Sequence, residues 1–293
     1  MKSTGSRRAD YDAIAPLYDS GPARSKVVDP ELLAFIEHRA SSDALSILDI
    51  GCGTGNQLVA NSIAVPDVTM VGVDRSLGML RQAWPKSPNI GWVRADAAAL
   101  PFLALSFDFV SCQFAFHHVQ AKAGMLRETF RVLRPRGRFV LRNLCPQESS
   151  DWLYYEYFPE AELADLRDFW PPEAVSAVME AIGFTAVTLE YEHLHFQQNL
   201  SAWIEIVRRR DTCSQLLAIP DTAYEAGVRR LQREMDEGTA PQVRAHHLCL
   251  LTIGGEKRTL ALRDLTTVWS PLMVENVVGA THDPSPFLMR AVR

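Results

Sequence analysis

The stretch Asp49-Ile50-Gly51-Cys52-Gly53-Thr54-Gly55 constrains this chain more than any other. It follows a short apolar run, residues 45–50, of the length of a buried strand, and it precedes a helical stretch reaching about Ala64. Glycines at this spacing permit a tight turn and let a ligand touch the backbone. A glycine-rich turn between the first strand and its helix is where doubly wound sheets hold nucleotide-like ligands. The glycines stand at 51, 53 and 55 and position 56 is Asn, so the spacing departs from the dinucleotide fingerprint Gly-x-Gly-x-x-Gly. No Gly-Lys-Ser/Thr is present, which excludes a P-loop.

The rhythm around the loop extends the argument. Residues 68–73, 90–93, 107–112 and 138–142 read as further strands. Residues 76–84 and 121–133 read as helices, the second stopped by Pro135 and Gly137. Upstream, a polar arm leads to a helix opened by Asp29-Pro30, with Leu32, Leu33, Phe35 and Ile36 on its apolar side. Strand and helix alternating at this spacing imply right-handed crossovers and a parallel sheet covered on both faces. The expected fold is α/β: a Rossmann-like, seven-stranded, mostly parallel sheet with helices on both faces and its last strand antiparallel. Phe184–Glu190 and His247–Ile253 are expected to be its final pair.

After Asn143 the rhythm changes. An aromatic-rich segment, residues 151–158, precedes a helix opened by Pro171-Pro172-Glu173, and two polar helices lie around 200–210 and 222–237. Helical lid elements are therefore expected near 145–170 and 195–240. The division that results is an arm and cap helix over 1–44, a ligand-binding domain over 45–255, and an appendage of unassigned role over 256–293.

Two more acids converge on the loop. Asp74 ends the second strand 19 residues after Gly55, where a carboxylate can accept from both hydroxyls of a ribose. Asp96 ends the third strand, where it can accept from an adenine amino group. Three acids at three successive strand ends face one crevice.

With these residues in place, the sequence resembles the class I S-adenosylmethionine (SAM)-dependent methyltransferases, in the branch of the ubiquinone/menaquinone-biosynthesis and small-molecule enzymes. The matching segments run in family order over roughly residues 10 to 190. They are Tyr11-Asp12-Ala13-Ile14-Ala15-Pro16-Leu17-Tyr18-Asp19, Ile47 to Gly55, Val71 to Ser76, Gly78-Met79-Leu80, Ala95-Asp96-Ala97, Leu100-Pro101-Phe102, Phe107 to Val110, Leu133 to Arg138, and Gly183-Phe184. The resemblance implies that Asp49, Gly51, Gly53 and Gly55 hold the methionine end of SAM. It implies that Asp74, followed by Arg75, binds the ribose, that Met79 packs on the adenine, and that Asp96 and the Ala97 N–H bind the adenine edge. Gln113 and Phe114 would sit near the sulfonium, and Tyr11 and Tyr18 would belong to an arm folding over the site. One departure is visible: the family commonly has Pro-Gly-Gly where this chain has Pro135-Arg136-Gly137.

The sulfonium already activates the methyl group, so such a site must mainly align a nucleophile and exclude water. No metal is required. A base helps where the acceptor is a hydroxyl or an acidic carbon. The candidates are His117 and His118, just past the fourth strand, which either supply that base or pack the crevice. Being adjacent, they should point different ways, and His117, nearer the strand end, is favoured for the base. Trp152, Tyr155 and their aromatic neighbours either wall the acceptor pocket or pack a helix on the core. His246 and His247 read as strand-end residues.

Charge and cysteines narrow the function further. The formal charge is −5, without the basic surplus of a general nucleic-acid binder. Five cysteines with no Cys-x-x-Cys spacing speak against a zinc site or a disulfide framework and for buried thiols. No apolar run reaches the roughly 18 residues of a membrane span, and no leader follows the N-terminus. The expectation is a cytoplasmic monomer or homodimer transferring methyl from SAM to an O, C or N atom of a small molecule, with no nucleic-acid partner. Two alternatives remain: a SAM-binding protein without transfer, regulatory or catalysing a rearrangement, and a macromolecular methyltransferase.

Overall fold

The structure is a computed structural model that describes residues 9–20, 24–39 and 44–258. Seven strands form one sheet: β1 (Ser46–Ile50), β2 (Thr69–Asp74), β3 (Gly91–Arg94), β4 (Phe107–Gln113), β5 (Leu133–Leu144), β6 (Phe184–Asn199) and β7 (Val243–Lys257). Their spatial order is β3-β2-β1-β4-β5-β7-β6. Only β7 runs antiparallel to its neighbours, so the expected sheet and its final pair are both present. The helices are α1 (Tyr11–Tyr18), α2 (Pro30–Glu37), α3 (Asn56–Ala64), α4 (Leu77–Ala83), α5 (Lys122–Val132), α6 (Leu153–Tyr157), α7 (Pro159–Asp168), α8 (Pro172–Ile182), α9 (Leu200–Val207), α10 (Ser214–Ala218) and α11 (Asp221–Asp236).

Alternating side chains along the central strands feed two separate cores. Leu48, Ile50, Val110, Phe139 and Leu141 face α5 and α8, meeting Met125, Leu126, Val175 and Met179. Ile47, Phe109, Val140 and Met70 face the opposite way, onto Leu32 of α2, Leu58 of α3 and Leu80 of α4. Each fully buried side chain of this size contributes about 1.5–3 kcal/mol relative to exposure. Four of the five cysteines are buried and all are free.

The structure adds to the expectations in three places. The stretch read as a polar arm contains α1, which Asp10 caps by accepting from the N–H groups of Asp12 and Ala13. The helices of the two expected lid stretches, α6, α7, α9, α10 and α11, share a third core around Leu153, Tyr157, Trp203, Val207 and Leu231. At the far end, Glu256 and Lys257 belong to β7 rather than to an appendage, and residues 259–293 lie outside the described residues. No described helix is long and apolar enough to cross a membrane.

The turn before the central part of β5 explains the family's glycine. Arg136 is held at φ 67°, the left-handed region that disfavours a side chain, and it is exposed. Replacing it with glycine is expected to stabilise the fold by about 0.5–1 kcal/mol, less than the full relief because glycine also loosens the unfolded chain. Urea denaturation measures this, and a loss of stability in Arg136→Gly would contradict it.

Candidate functional site

A cavity of about 500 Å³ opens at the carboxyl ends of β1, β2, β3 and β4. The glycine loop forms its floor, and each glycine has its own cause. Gly51, at φ 76°, donates to the Val73 carbonyl at 2.7 Å, and a Cβ on it would come within 2.3 Å of the Ala115 Cβ. Gly53 donates its N–H to Asp74 Oδ2 at 2.9 Å. Gly55 does not line the cavity: it opens α3 at φ 79°, and a Cβ there would strike the Trp92 ring at 2.4 Å.

Asp49, next to last in β1, is almost fully buried, 3 % exposed, and accepts from the Ser111 hydroxyl at 2.8 Å. It has no ion-pair partner among the described residues. Burial pushes its carboxyl up to about 7, with the Ser111 hydroxyl opposing and the charges of Asp29 and Asp74 adding to the rise. Asp74 is braced by two backbone N–H groups, from Gly53 on Oδ2 and from Ser76 on Oδ1 at 2.8 Å. Burial raises its carboxyl despite both donors. Arg75, Met79, Asp96, Ala97 and Gln113 also line the cavity. Asp96 sits exposed at the rim, accepting from the Ala98 N–H at 2.8 Å, and Gln113 donates to Asp29 Oδ2 at 2.8 Å.

The roof is α1. Tyr11-Asp12 and Tyr18-Asp19 are seven residues apart, two helical turns, so both pairs fall on one side of the helix. Asp12 Oδ1 accepts from the Gly78 N–H at 2.6 Å and from the Ser76 hydroxyl at 2.8 Å, which ties α1 to the start of α4 and holds the Asp12 carboxyl below the usual range. Asp19 Oδ1 accepts from the Thr54 hydroxyl at 2.6 Å and from the Asn56 amide at 3.0 Å, and Oδ2 from Lys86, which ties the other end to the start of α3. Thus clamped, Tyr11 and Tyr18 line the cavity edge to face, their ring centroids 6.3 Å apart.

The histidines separate, but not in the favoured order. His118 lines the cavity, and its Nε2 lies 2.6 Å from the Tyr11 hydroxyl. His117 points away and stacks flat on Phe169, centroids 4.1 Å apart and planes 11° apart. Burial, then the charge of His118, holds the His117 ring well below the ordinary histidine range, hence neutral. A short 3-10 turn over Phe116–His118 aims the second ring of the pair, not the first, at the site.

Phe114 lines the cavity as expected, 40 % exposed, at φ 53°. Trp152 and Tyr155 do not line it. They pack edge on in the third core, and the Tyr155 hydroxyl donates to the buried Asp165 at 2.8 Å. The aromatic side of α6 faces α9 and α11, so of the two readings open for that segment the structure takes the packing one. Sequence reading missed Arg24, Lys26 and the clamping role of Asp12 and Asp19. The seven-residue repeat of Tyr-Asp was the signal for the clamp; an extended segment has no periodicity to announce Arg24 and Lys26.

A family described as a methyltransferase domain matches residues 48–141, from β1 through most of β5. Demethylmenaquinone methyltransferase of Deinococcus radiodurans is 31 % identical over 59 % of this chain and 83 % of its own length. Malonyl-[acyl-carrier protein] O-methyltransferase of Methylococcus capsulatus is 31 % identical over 61 % of this chain and 66 % of its own. Phosphoethanolamine N-methyltransferase 2 of Haemonchus contortus, solved with S-adenosyl-L-methionine, shares the fold at a TM-score of 0.53 and 19 % identity, covering 85 % of this chain and 57 % of that one. The chain therefore belongs to the class I SAM-dependent methyltransferases of the quinone-biosynthesis branch, enzymes that move the methyl group of SAM to a small-molecule acceptor.

Proposed function

We propose that the cavity under α1 is the site of methyl transfer, that the acceptor's nucleophilic atom carries a removable proton, and that Tyr11 and His118 take that proton. The observation that carries this is the 2.6 Å contact between the Tyr11 hydroxyl and His118 Nε2 inside the cavity. Burial raises the Tyr11 phenol far above its ordinary value, so it stays protonated and donates into the imidazole. As His118 accepts that proton, the Tyr11 oxygen becomes a site for the acceptor's own proton. The Phe114 ring offers an apolar wall to a planar acceptor. A relative named for a quinone supports a planar acceptor.

The residues fit SAM. The cavity is of the size that encloses a ligand of that class. Among the described residues Asp49 is a buried acid with no ion-pair partner, and the Arg24 Nε is buried with no hydrogen-bond partner. Asp49 and the Gly51–Gly53 turn would hold the cationic methionine end, Arg24 its carboxylate, Asp74 the ribose, and Met79, Asp96 and Ala97 the adenine. Bound there, SAM supplies a methyl group already activated by its sulfonium. Five free thiols suit the reducing cytoplasm, where we place the reaction.

Calorimetry with S-adenosylhomocysteine tests the cofactor assignment. Asp74→Ala is expected to weaken binding by about 1.5–3 kcal/mol, the range for hydrogen bonds to a charged group. Unchanged affinity in a folded variant refutes the ribose assignment.

A further inference from the structure

Residues 24–29, an irregular segment that precedes α2, carry two cations to the cavity, Arg24 and Lys26. Neither makes an ion pair among the described residues. Their neighbours do: Lys86 pairs with Asp19 at 2.6 Å, and Arg142 pairs with Glu192 at 2.5 Å. The nearby acids, Asp29 and Asp49, act on Lys26 through their charge but form no ion pair with it among the described residues, and their hydrogen bonds go elsewhere. Asp29 accepts from Gln113 and from the Glu31 N–H, and Asp49 from Ser111.

The two cations stand in different places. The Arg24 guanidinium lies 3.9 Å over the Tyr18 ring and donates to the Tyr18 hydroxyl at 2.9 Å, beside the Asp19 clamp. That is the cofactor side of α1. The Lys26 ammonium lies 5.5 Å from the centroid of the Phe114 ring, past the end of β4. SAM has one carboxylate, and Arg24 accounts for it. Arg75 and Arg94 also line the cavity but stand at the ends of β2 and β3, so Lys26 is the cation left by the apolar wall.

We propose that Lys26 is a specificity-determining residue, selecting an acceptor that presents an anionic group, a carboxylate, on a planar apolar body that lies against Phe114. This deepens the reading of the cavity given above and rests on it. Phe114 holds its ring there from a left-handed backbone that a side chain rarely adopts, a strain found where a site demands it. Lost hydration and the charges of Arg24 and Arg142 lower the Lys26 ammonium below its ordinary range against the opposing charges of Asp49 and Asp29, and a bound anion offsets the repulsion from the two arginines.

The test is calorimetric binding of matched probes to the full chain saturated with S-adenosylhomocysteine: 4-hydroxybenzoate against 4-hydroxybenzamide, and 3-hydroxy-2-naphthoate against its amide. The wild type is expected to bind the carboxylates at least about tenfold more tightly, the order of one charge-assisted hydrogen bond. Lys26→Met should abolish that preference and Lys26→Arg should retain most of it, with the affinity for S-adenosylhomocysteine unchanged in both. A wild type without the preference, including one that binds neither member, overturns the proposal. So does a preference that survives in Lys26→Met. An equal loss of S-adenosylhomocysteine affinity in Lys26→Met assigns the lysine to the cofactor's carboxylate and also overturns it. Failure of the wild type to bind S-adenosylhomocysteine at all is a separate result, and it overturns the reading of the cavity itself.

Discussion

His118→Ala should lower turnover by roughly 10²–10⁴-fold, the usual share of general acid–base catalysis, with SAM affinity nearly unchanged. The imidazole lines the same cavity as the braced Asp74, and its identified partner there is Tyr11. Tyr11→Phe should move turnover in the same direction, because it removes the hydroxyl through which His118 is reached. His117→Ala should behave differently. Its ring is buried against Phe169, so its loss opens a void and lowers thermal stability by about 1–3 kcal/mol, with little change in turnover of the folded fraction. Steady-state kinetics and thermal melts on the three variants separate the roles. Full turnover in both His118→Ala and Tyr11→Phe would mean that the site works by positioning alone.

Asp49→Asn should cost SAM binding about 3–4 kcal/mol, as when one partner of a buried pair of opposite charges is removed, or roughly 10²–10³-fold in Kd. The pH dependence follows from the same carboxyl. In the ligand-free protein burial holds it at about 7, so near neutrality it is part-protonated. A cation bound beside it favours the ionised form, and binding below pH 7 must expel the proton. SAM affinity should therefore fall by up to about tenfold per pH unit below 7 and level off above it. Asp49→Asn should flatten this profile.

The stability of the ligand-free fold runs the opposite way. Between an ordinary aspartate value near 4 and about 7 the native state binds the proton more tightly than the unfolded chain does. Stability from this group is therefore present at low pH and lost as pH rises through that window. Saturating SAM should offset the loss. Melting curves from pH 5 to 8, with and without ligand, check both signs, and a ligand-free protein that gains stability across the window through this residue would contradict the assignment.

Much of this molecule is determined locally, and that part was legible from the chain. β1 and β4 are buried on both faces, so they read as apolar runs without needing a partner to explain them. The glycines of the loop are required by backbone conformation and by close approach, constraints that act on the residue itself. Asp49, next to last in its strand, and Asp74, last in its own, stand at the same edge because parallel strands align their carboxyl ends, so strand position alone places them in the crevice. The cap of α2 by Asp29 is likewise local.

What tertiary structure decided is direction and partnership. Both histidines are adjacent in sequence, and only the turn over Phe116–His118, seated under Tyr11 on one side and against Phe169 on the other, determines that His118 enters the cavity. The aromatic residues of α6 had two apolar destinations of equal local merit, and the presence of Trp203 and Leu231 on α9 and α11 settled it in favour of packing. Arg24 and Lys26 matter because neither makes an ion pair among the described residues, and a missing partner leaves no pattern in a sequence. The sequence alone could determine where a ligand's nucleotide-like end must lie, because backbone geometry encodes it; which side chains meet the acceptor depended on contacts between segments as far apart as Tyr11 and His118, which only the folded chain brings together.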